Sequence, residues 1–218
     1  MSISHTYLAK LTPYAHENPK CLHGHFSKKI QKRGPAKGRT EHELWLEKYR
    51  SHLWRSRREP FVEHYQSIYK RLPIWVAVEV WDFGMMSKLY AGMKIADKDI
   101  IAQKYGAPDG NTFTSWLRSL NFIRNISAHH SRLWNINILE RSPTPSDADY
   151  WQELNNARPF FYFCLMQRML QVICPGSSWY QRLADLITEF PSPNTNAISI
   201  EDFGVRQGWQ AWSLWPQK

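Results

Sequence analysis

The chain has 218 residues, 43% hydrophobic and 14% aromatic, which suffices for one packed core but not for two independent ones. Three scattered cysteines exclude a disulfide framework, and no apolar run is long enough to cross a membrane. The net charge of +9 is localised: residues 1–72 carry 15 Lys and Arg against 6 Asp and Glu, while the remainder has 13 of each. We therefore expect one cytoplasmic domain, residues 1–218, with an anionic partner.

The most basic segment is residues 27–39, SKKIQKRGPAKGR, which has six basic residues, no acidic residue and a Gly-Pro pair. Such a segment buries too little apolar surface to fold alone, so we predict that residues 1–39 form a flexible basic arm. Clustered cations neutralise phosphates, which makes the arm a candidate nucleic-acid-binding surface, with an ordinary solvated surface as the alternative. Its candidate residues are Lys28, Lys29, Lys32, Arg33, Lys37 and Arg39.

Helical patterns follow the arm, and we predict an all-α bundle over residues 40–190. Thr40 followed by Glu43 is a capping-box pattern, which predicts where the first helix begins. Pro73 suits the first turn of a buried helix whose apolar residues recur every three or four positions as far as Leu89. Further helices are predicted at about residues 59–70, 97–105, 113–134, 160–170 and 178–190.

Residues 191–218 read as an irregular, Trp-rich tail that packs back on the bundle to cover its apolar side chains. No alternating run of strand length is bounded by hairpin turns, which favours a fold without a sheet. Most of the eleven tryptophans lie at helical core spacing. A tail residue, Trp209 or Trp212, is the candidate for stacking on an unpaired base.

The segment at residues 121–135, NFIRNISAHHSRLWN, concentrates polar groups that suit phosphodiester cleavage. A helix running to residue 134 would place Arg124 beside a stripe of four polar side chains. The stripe consists of Asn121, Asn125, His129 and Arg132. Taken alone, the pattern also fits a purely structural polar face.

Cleavage of RNA without a metal requires a group that exchanges protons near neutral pH, and His129 is the candidate. It also requires a fixed positive charge against the phosphate oxygens, which Arg124 supplies. Asn125 is the third candidate catalytic residue, because it lies one helical turn before His129 and can orient the imidazole or bind substrate. His130, Arg132 and Asn121 are secondary candidates for catalysis or substrate contact, with helix packing as the alternative role.

The string RNISAH at residues 124–129 resembles the R-(polar)-x3-H signature of the HEPN ribonuclease superfamily, and RNISAHHSRLWN resembles the hallmark of its Abi-like branch. Three further blocks are similar to those of AbiF/AbiD-type abortive-infection proteins. They are LPIWVAVEVWDFGMMSKLY at 72–90, SWLRSLNFIRN at 115–125 and SSWYQRLADLITEF at 177–190. Together the resemblance covers roughly residues 60–215, whereas the short basic N-terminal region departs from many relatives.

The resemblance implies a HEPN-like helical bundle that forms a homodimer, in which Arg and His from two copies meet in one metal-independent endoribonuclease site. It implies no cofactor and a 2′,3′-cyclic phosphate product. The expected setting is an abortive-infection or toxin–antitoxin antiphage defence system, with RNA as substrate and a small structured RNA as a restraining partner.

Two other functions remain open. A non-catalytic protein would use Arg124 and His129 to grip a regulatory RNA. A toxin controlled by a nucleotide-modifying enzyme would carry a tyrosine soon after the motif histidine, and none lies between residues 129 and 141. Cys21, His23 and His25, with His16 nearby, superficially resemble a zinc site, but they lack a second pair of ligands at a recognisable spacing. We favour an unliganded segment and expect no metal.

Overall fold

The computed structural model describes residues 12–31, 33–191 and 198–215. Over these residues the fold is all-α, as predicted, and the one β-type pairing is an isolated bridge between Lys29 and Thr40. The α-helices are α1 (Glu41–Arg55), α2 (Pro60–Tyr69), α3 (Ile74–Ala77), α4 (Phe83–Ala91), α5 (Ile95–Gln103), α6 (Gly110–Ala128), α7 (Tyr150–Glu153), α8 (Pro159–Ile173) and α9 (Trp179–Thr188). Short 3-10 helices occupy Ala15–Glu17, Pro19–Cys21, Gly24–Ser27, Val78–Val80, Ile200–Phe203 and Trp209–Ala211.

The backbone groups into two compact units that divide between Ile101 and Ala102. We call them the N-terminal unit and the C-terminal unit, and each is described by itself.

Helix α1 organises the N-terminal unit. The predicted capping box starts it: the Glu43 amide donates to the Thr40 hydroxyl, and the Glu43 carboxylate accepts from the Thr40 amide. Its inward face carries Trp45 and Tyr49, and the Trp45 indole donates to the Met85 carbonyl at 3.0 Å. Helix α1 is therefore fixed both at its start and against α4.

The single helix predicted from Pro73 to Leu89 is wrong, because the backbone becomes extended at Trp81 and Asp82. Asp82 instead caps α4 by accepting from the Met85 amide at 2.7 Å, and its other oxygen lies 2.6 Å from the Lys48 ammonium. Burial acts to raise the pKa of Asp82, but these hydrogen bonds outweigh it and hold the pKa below its usual value. The apolar spacing continues across the break because both halves are buried.

The predicted flexible arm also differs from the structure. Over residues 12–27 the chain forms three short 3-10 helices that bury Ala15, His16, Leu22 and Phe26. The His23 amide donates to the Gly92 carbonyl at 2.8 Å, and Phe26 lies against Gly92. Pairing with partners distant in sequence orders this segment, which local composition does not reveal.

Gly92→Ala should destabilise the protein by about 1–3 kcal/mol, the usual cost of overpacking a core. The added Cβ would lie 2.6–2.8 Å from three ring carbons of Phe26. Urea unfolding measures the change, and Gly24→Ala is the control because a Cβ there meets nothing within 4 Å. Equal unfolding midpoints for the two variants would contradict this packing.

His16 is fully buried and surrounded by the rings of Trp45, Tyr49 and Trp81, with centroids 5.3–6.2 Å away. Neither ring nitrogen has a hydrogen-bond partner. Burial is the main cause that lowers the pKa of His16 to about 3, and the charge of Arg71 adds to it. His16 is therefore a neutral core residue, which removes it from any metal-ligand set.

The N-terminal unit should lose stability as the pH falls from 6.5 towards 3. Unfolded His16 takes up a proton below its ordinary pKa of 6.5, whereas the buried ring resists protonation until about 3. Each pH unit inside this window costs at most about 1.4 kcal/mol from this one group. Free energies of unfolding at pH 7 and pH 5 test it: His16→Leu should show a smaller drop than the wild type. Equal drops would mean that His16 is not responsible.

The C-terminal unit is built on α6 and α8. Buried residues recur along α6 at Phe113, Trp116, Leu120 and Ile123, and α8 buries a run of large apolar side chains that begins at Phe160. Thus the long helices predicted at both places form, although α6 is shorter than predicted.

The described part of the Trp-rich tail lies against α8. Trp209 and Trp215 are buried, with ring centroids 5.3 and 6.3 Å from Phe160. Trp212 is stacked on Tyr150 at 5.4 Å. The prediction that Trp209 stacks on RNA is therefore wrong, because Trp209 is a core residue. Trp212 is half-buried with one face covered by Tyr150, and its stacking on RNA stays a prediction.

Candidate active site

Helix α6 positions the motif. Asp109 caps its start by accepting from the amides of Asn111 and Thr112 at 2.8 and 2.9 Å. The apolar face of α6 is buried within the C-terminal unit, so its polar residues point outward. Arg124 is exposed in the last turns, whereas Asn121 and Asn125 are half-buried.

Helix α6 ends at Ala128, six residues before the predicted end. The His130 amide donates to the Ser127 carbonyl at 3.2 Å, and the Ser131 amide donates to the Ile126 carbonyl at 3.1 Å. This pair of hydrogen bonds is the Schellman motif, a common helix termination. Sequence reasoning missed it because neither glycine nor proline marks the site.

The early end changes the predicted stripe. Arg124 and Asn125 remain on the helix, and His129 is the C-cap residue whose amide donates to the Asn125 carbonyl at 3.1 Å. His130 and Arg132 are exposed beyond the helix and do not continue the stripe with Asn121. Of the predicted site residues, Arg124, Asn125 and His129 lie together at the end of α6.

Arg124 and Asn125 are in direct contact. The guanidinium Nη1 of Arg124 donates to the amide Oδ1 of Asn125 at 3.0 Å. Asn125 thus orients the guanidinium rather than the imidazole, which was the orienting role predicted for it. The His129 side chain is exposed at the C-cap position, where a ligand can reach it.

The chain after the motif is held to its own unit. Arg158 donates to the Asn135 carbonyl at 2.9 Å, and the Ile138 amide donates to the Ala157 carbonyl at 2.9 Å. Ser119, Ser142 and Tyr162 form a buried hydrogen-bonded group just beyond. These anchors fix the direction in which the chain leaves α6 and thereby the position of His129.

A groove of about 310 Å³ lies beside Trp134. Apolar side chains such as Leu186, Phe190 and Phe203 line most of it. Apolar side chains do not stabilise phosphate charge, so this groove is not a phosphate-binding extension of the polar motif.

The predicted basic arm contains a closed loop. The Ile30 amide donates to the Arg39 carbonyl and the Gly38 amide donates to the Ile30 carbonyl, at 2.8 and 2.9 Å. Gly38 has φ 82°, a left-handed conformation that favours glycine. Of the predicted binding residues, Arg39 is paired with Glu47 at 2.6 Å, and Lys32 lies outside the described residues. The exposed members are Lys28, Lys29, Arg33 and Lys37.

The side chains of Cys21, His23 and His25 are not arranged as the ligands of one metal ion. The Nδ1 atoms of His23 and His25 lie 2.6 Å apart, too close for two ligands of one ion to be placed around it. In the part of the chain that the structure describes, no three Cys, His, Asp or Glu side chains group as metal ligands.

The features above define a helical protein that exposes an Arg-Asn-x3-His motif where a helix ends. The chain belongs to the Abi-like protein family, whose model matches residues 2–135. Membership in this family suggests a part in abortive-infection defence. No curated protein and no solved structure matches the chain. No helix in the described ranges has the length and apolar character needed to cross a membrane.

The extent of the match refines the resemblance drawn from the sequence. It includes the motif and also the basic N-terminal region, which on sequence alone departs from many relatives. It does not include residues 136–218, so the block at 177–190 remains a resemblance on its sequence alone.

His130→Gly should raise the free energy of unfolding by about 1 kcal/mol, because His130 adopts φ 53°, a left-handed conformation that costs a residue with a Cβ. His130→Ala, which keeps the Cβ, is the matched control and should give no such gain. Thermal unfolding of both variants measures the difference. A less stable His130→Gly protein would show that the imidazole makes contacts that outweigh the strain.

Proposed function

We propose that this Abi-like protein is a metal-independent endoribonuclease of an abortive-infection or toxin–antitoxin defence system. The observation that carries the proposal is the shared position of Arg124 and His129 at one exposed helix end, within the region that the family model matches. The spacing between them is that of the HEPN ribonuclease signature, and the all-α fold agrees with a HEPN-like bundle.

The chemistry follows from the side chains. His129 takes the proton from a ribose 2′-hydroxyl, whose oxygen attacks the adjacent phosphorus. The bond to the 5′-oxygen breaks, leaving a 2′,3′-cyclic phosphate and, after that oxygen gains a proton, a 5′-hydroxyl. Arg124 donates to the non-bridging oxygens, where negative charge grows in the transition state. Asn125 holds the guanidinium in place through the 3.0 Å contact.

One copy of the motif makes half a site. The exposed Arg124 and His129 are in contact with solvent, where a charge stabilises a transition state far less than in a dry cleft. In addition, one histidine does not easily serve as base and acid within one step. We propose that a second copy of the chain covers the helix end and brings its own arginine and histidine, so that a homodimer holds the complete site.

RNA is the proposed partner as well as the substrate. The exposed loop residues Lys28, Lys29, Arg33 and Lys37 lie in a segment without acidic residues and suit contact with phosphates. A small structured RNA bound there would restrain the enzyme until infection. Arg39 contributes less than its neighbours, because its charge is already paired with Glu47.

The test is an incubation of purified protein with labelled single-stranded RNA in EDTA. The wild type should leave 2′,3′-cyclic phosphate ends, and His129→Ala and Arg124→Ala should each reduce cleavage at least ~100-fold, the usual contribution of a general base or a positioned charge. Both side chains are exposed, so the variants should keep wild-type thermal stability. His64→Ala is the matched control, since His64 is an exposed helical histidine outside the motif.

Two outcomes would contradict the ribonuclease. RNA bound but left intact by the wild type, after removal of any copurifying RNA, would favour a binding protein that grips a regulatory RNA. Cleavage that survives both substitutions would come from another site or a contaminant. Loss of wild-type cleavage when the protein is made monomeric would instead support the composite dimer site.

A further inference from the structure

A second basic surface lies in the N-terminal unit, where α1 ends. The nine residues 50–58, RSHLWRSRR, contain four arginines and no acidic residue. Arg50, Arg55 and Arg58 are exposed, and Arg57 is half-buried. Among the described residues, none of the four forms an ion pair with a carboxylate. Their charge is therefore available to an external anion.

Trp54 stands in the middle of this cluster. Its side chain is 66% exposed, the highest value among the exposed large aromatic residues of the described chain. An indole stabilises a fold most when it is buried, so most of the Trp54 side chain remains available to a ligand. The tail tryptophans, by contrast, are covered by Phe160 or Tyr150.

Arg57 fixes the orientation of Trp54. Its guanidinium carbon lies 3.9 Å from the centroid of the indole, and its Nη1 donates to the Trp54 carbonyl at 2.8 Å. An indole has two faces, and this contact covers one. The stacked guanidinium keeps further N–H donors for a phosphate. Arg50 lies one helical turn before Trp54 on the same side of α1.

Helix electrostatics accounts for only part of this arrangement. Cations near the end of a helix stabilise its dipole, and Arg55 in the last turn meets that need. The helix dipole does not account for the position of Arg50, one turn earlier, or for the exposure of the Trp54 indole. An aromatic face beside several unpaired arginines is the combination by which proteins bind single-stranded nucleic acid.

We propose that Trp54 and the surrounding arginines form a binding site for single-stranded RNA, with one unpaired base stacked on the face of the indole opposite Arg57. Arg50, Arg57 and Arg58 contact the neighbouring phosphates. The choice of RNA rests on the proposed function, whereas the stacking geometry does not. The site belongs to the N-terminal unit, whereas Arg124 and His129 belong to the C-terminal unit, and it holds RNA without cutting it.

An anionic membrane is the other surface that attracts tryptophan and arginine. Binding in the membrane interface requires an apolar helix face that enters the lipid. Apart from Trp54, the apolar residues of α1 are covered: Trp45 and Tyr49 are buried, and Leu44, Leu46 and Leu53 are half-buried. The exposed neighbours of Trp54 are Arg50, Ser51, Arg55 and Arg58. A single indole provides too little apolar area, so the composition favours RNA.

The experiment compares two labelled RNAs of about 12 nucleotides, within the span of one single-strand site, by fluorescence anisotropy. One has all its bases, and the other has abasic sites in its middle. The protein carries His129→Ala so that RNA stays intact. Removing the bases should weaken binding about 5- to 100-fold in this background, and Trp54→Ala should weaken binding of the complete RNA by a similar factor.

The two effects should not add, because both remove the same stacking interaction. Trp54→Phe should retain part of the affinity. Leu186→Ala, which alters a side chain also 66% exposed, should leave binding unchanged. Arg58→Gln should reduce the slope of the salt dependence by about 0.7 for each phosphate that the variant no longer neutralises, and Arg182→Gln, at an exposed arginine of α9, should not.

The proposal is overturned if Trp54→Ala binds both RNAs as its parent does, or if the substitution instead abolishes binding to vesicles with anionic lipid. Cleavage by the protein with native His129 is measured in parallel. RNA binding that depends on Trp54 without any cleavage would refute the ribonuclease and keep this site. Cleavage by the protein, together with RNA binding that Trp54→Ala does not change, would support the ribonuclease and refute this site.

Discussion

The end of α6 at Ala128 is the constraint on which the site depends. If the helix ran on, His129 would sit on a rigid stripe with its backbone amide and carbonyl both in the helical ladder. Instead two hydrogen bonds close the last turn around His130, and the chain then leaves towards its anchors at Arg158 and Ala157. Arg124 is thereby held by the helix and by its hydrogen bond to Asn125, whereas His129 lies exposed at the C-cap position.

Much of the fold was predictable because its causes are local. The capping box at Thr40 and Glu43, Pro60 in the first turn of α2 and Pro159 in that of α8 each act within one helical turn. The break at Asp82 was not predictable from apolar spacing, since Trp81 and Met85 are on the periodic positions of a helix even though the backbone is extended at Trp81 and Asp82. The carboxylate that caps α4 also pairs with Lys48, 34 residues earlier, and sequence periodicity contains no information about that partner.

For the candidate site, residue types were easier to predict than their arrangement. Arg124 and His129 are exposed, but the predicted stripe through His129 to Arg132 required a helix as far as residue 134, and α6 ends at Ala128. Glycine at the left-handed position would have predicted the helix end, whereas His130 does not. The tryptophans illustrate the same limit: Trp54 is followed by Arg55 and Trp209 by Gln210, yet tertiary contacts leave the first exposed and bury the second.

The contact between Phe26 and Gly92 ties together two positions 66 residues apart, both within the region that defines the family. A relative that carries any side chain at the position of Gly92 has no room for a phenyl ring at that of Phe26, so the two positions should vary together in evolution. A relative without an aromatic ring at the position of Phe26 does not need glycine at the position of Gly92. The same pairing means that the N-terminal segment is inherited with the helices it covers and is not an interchangeable appendage.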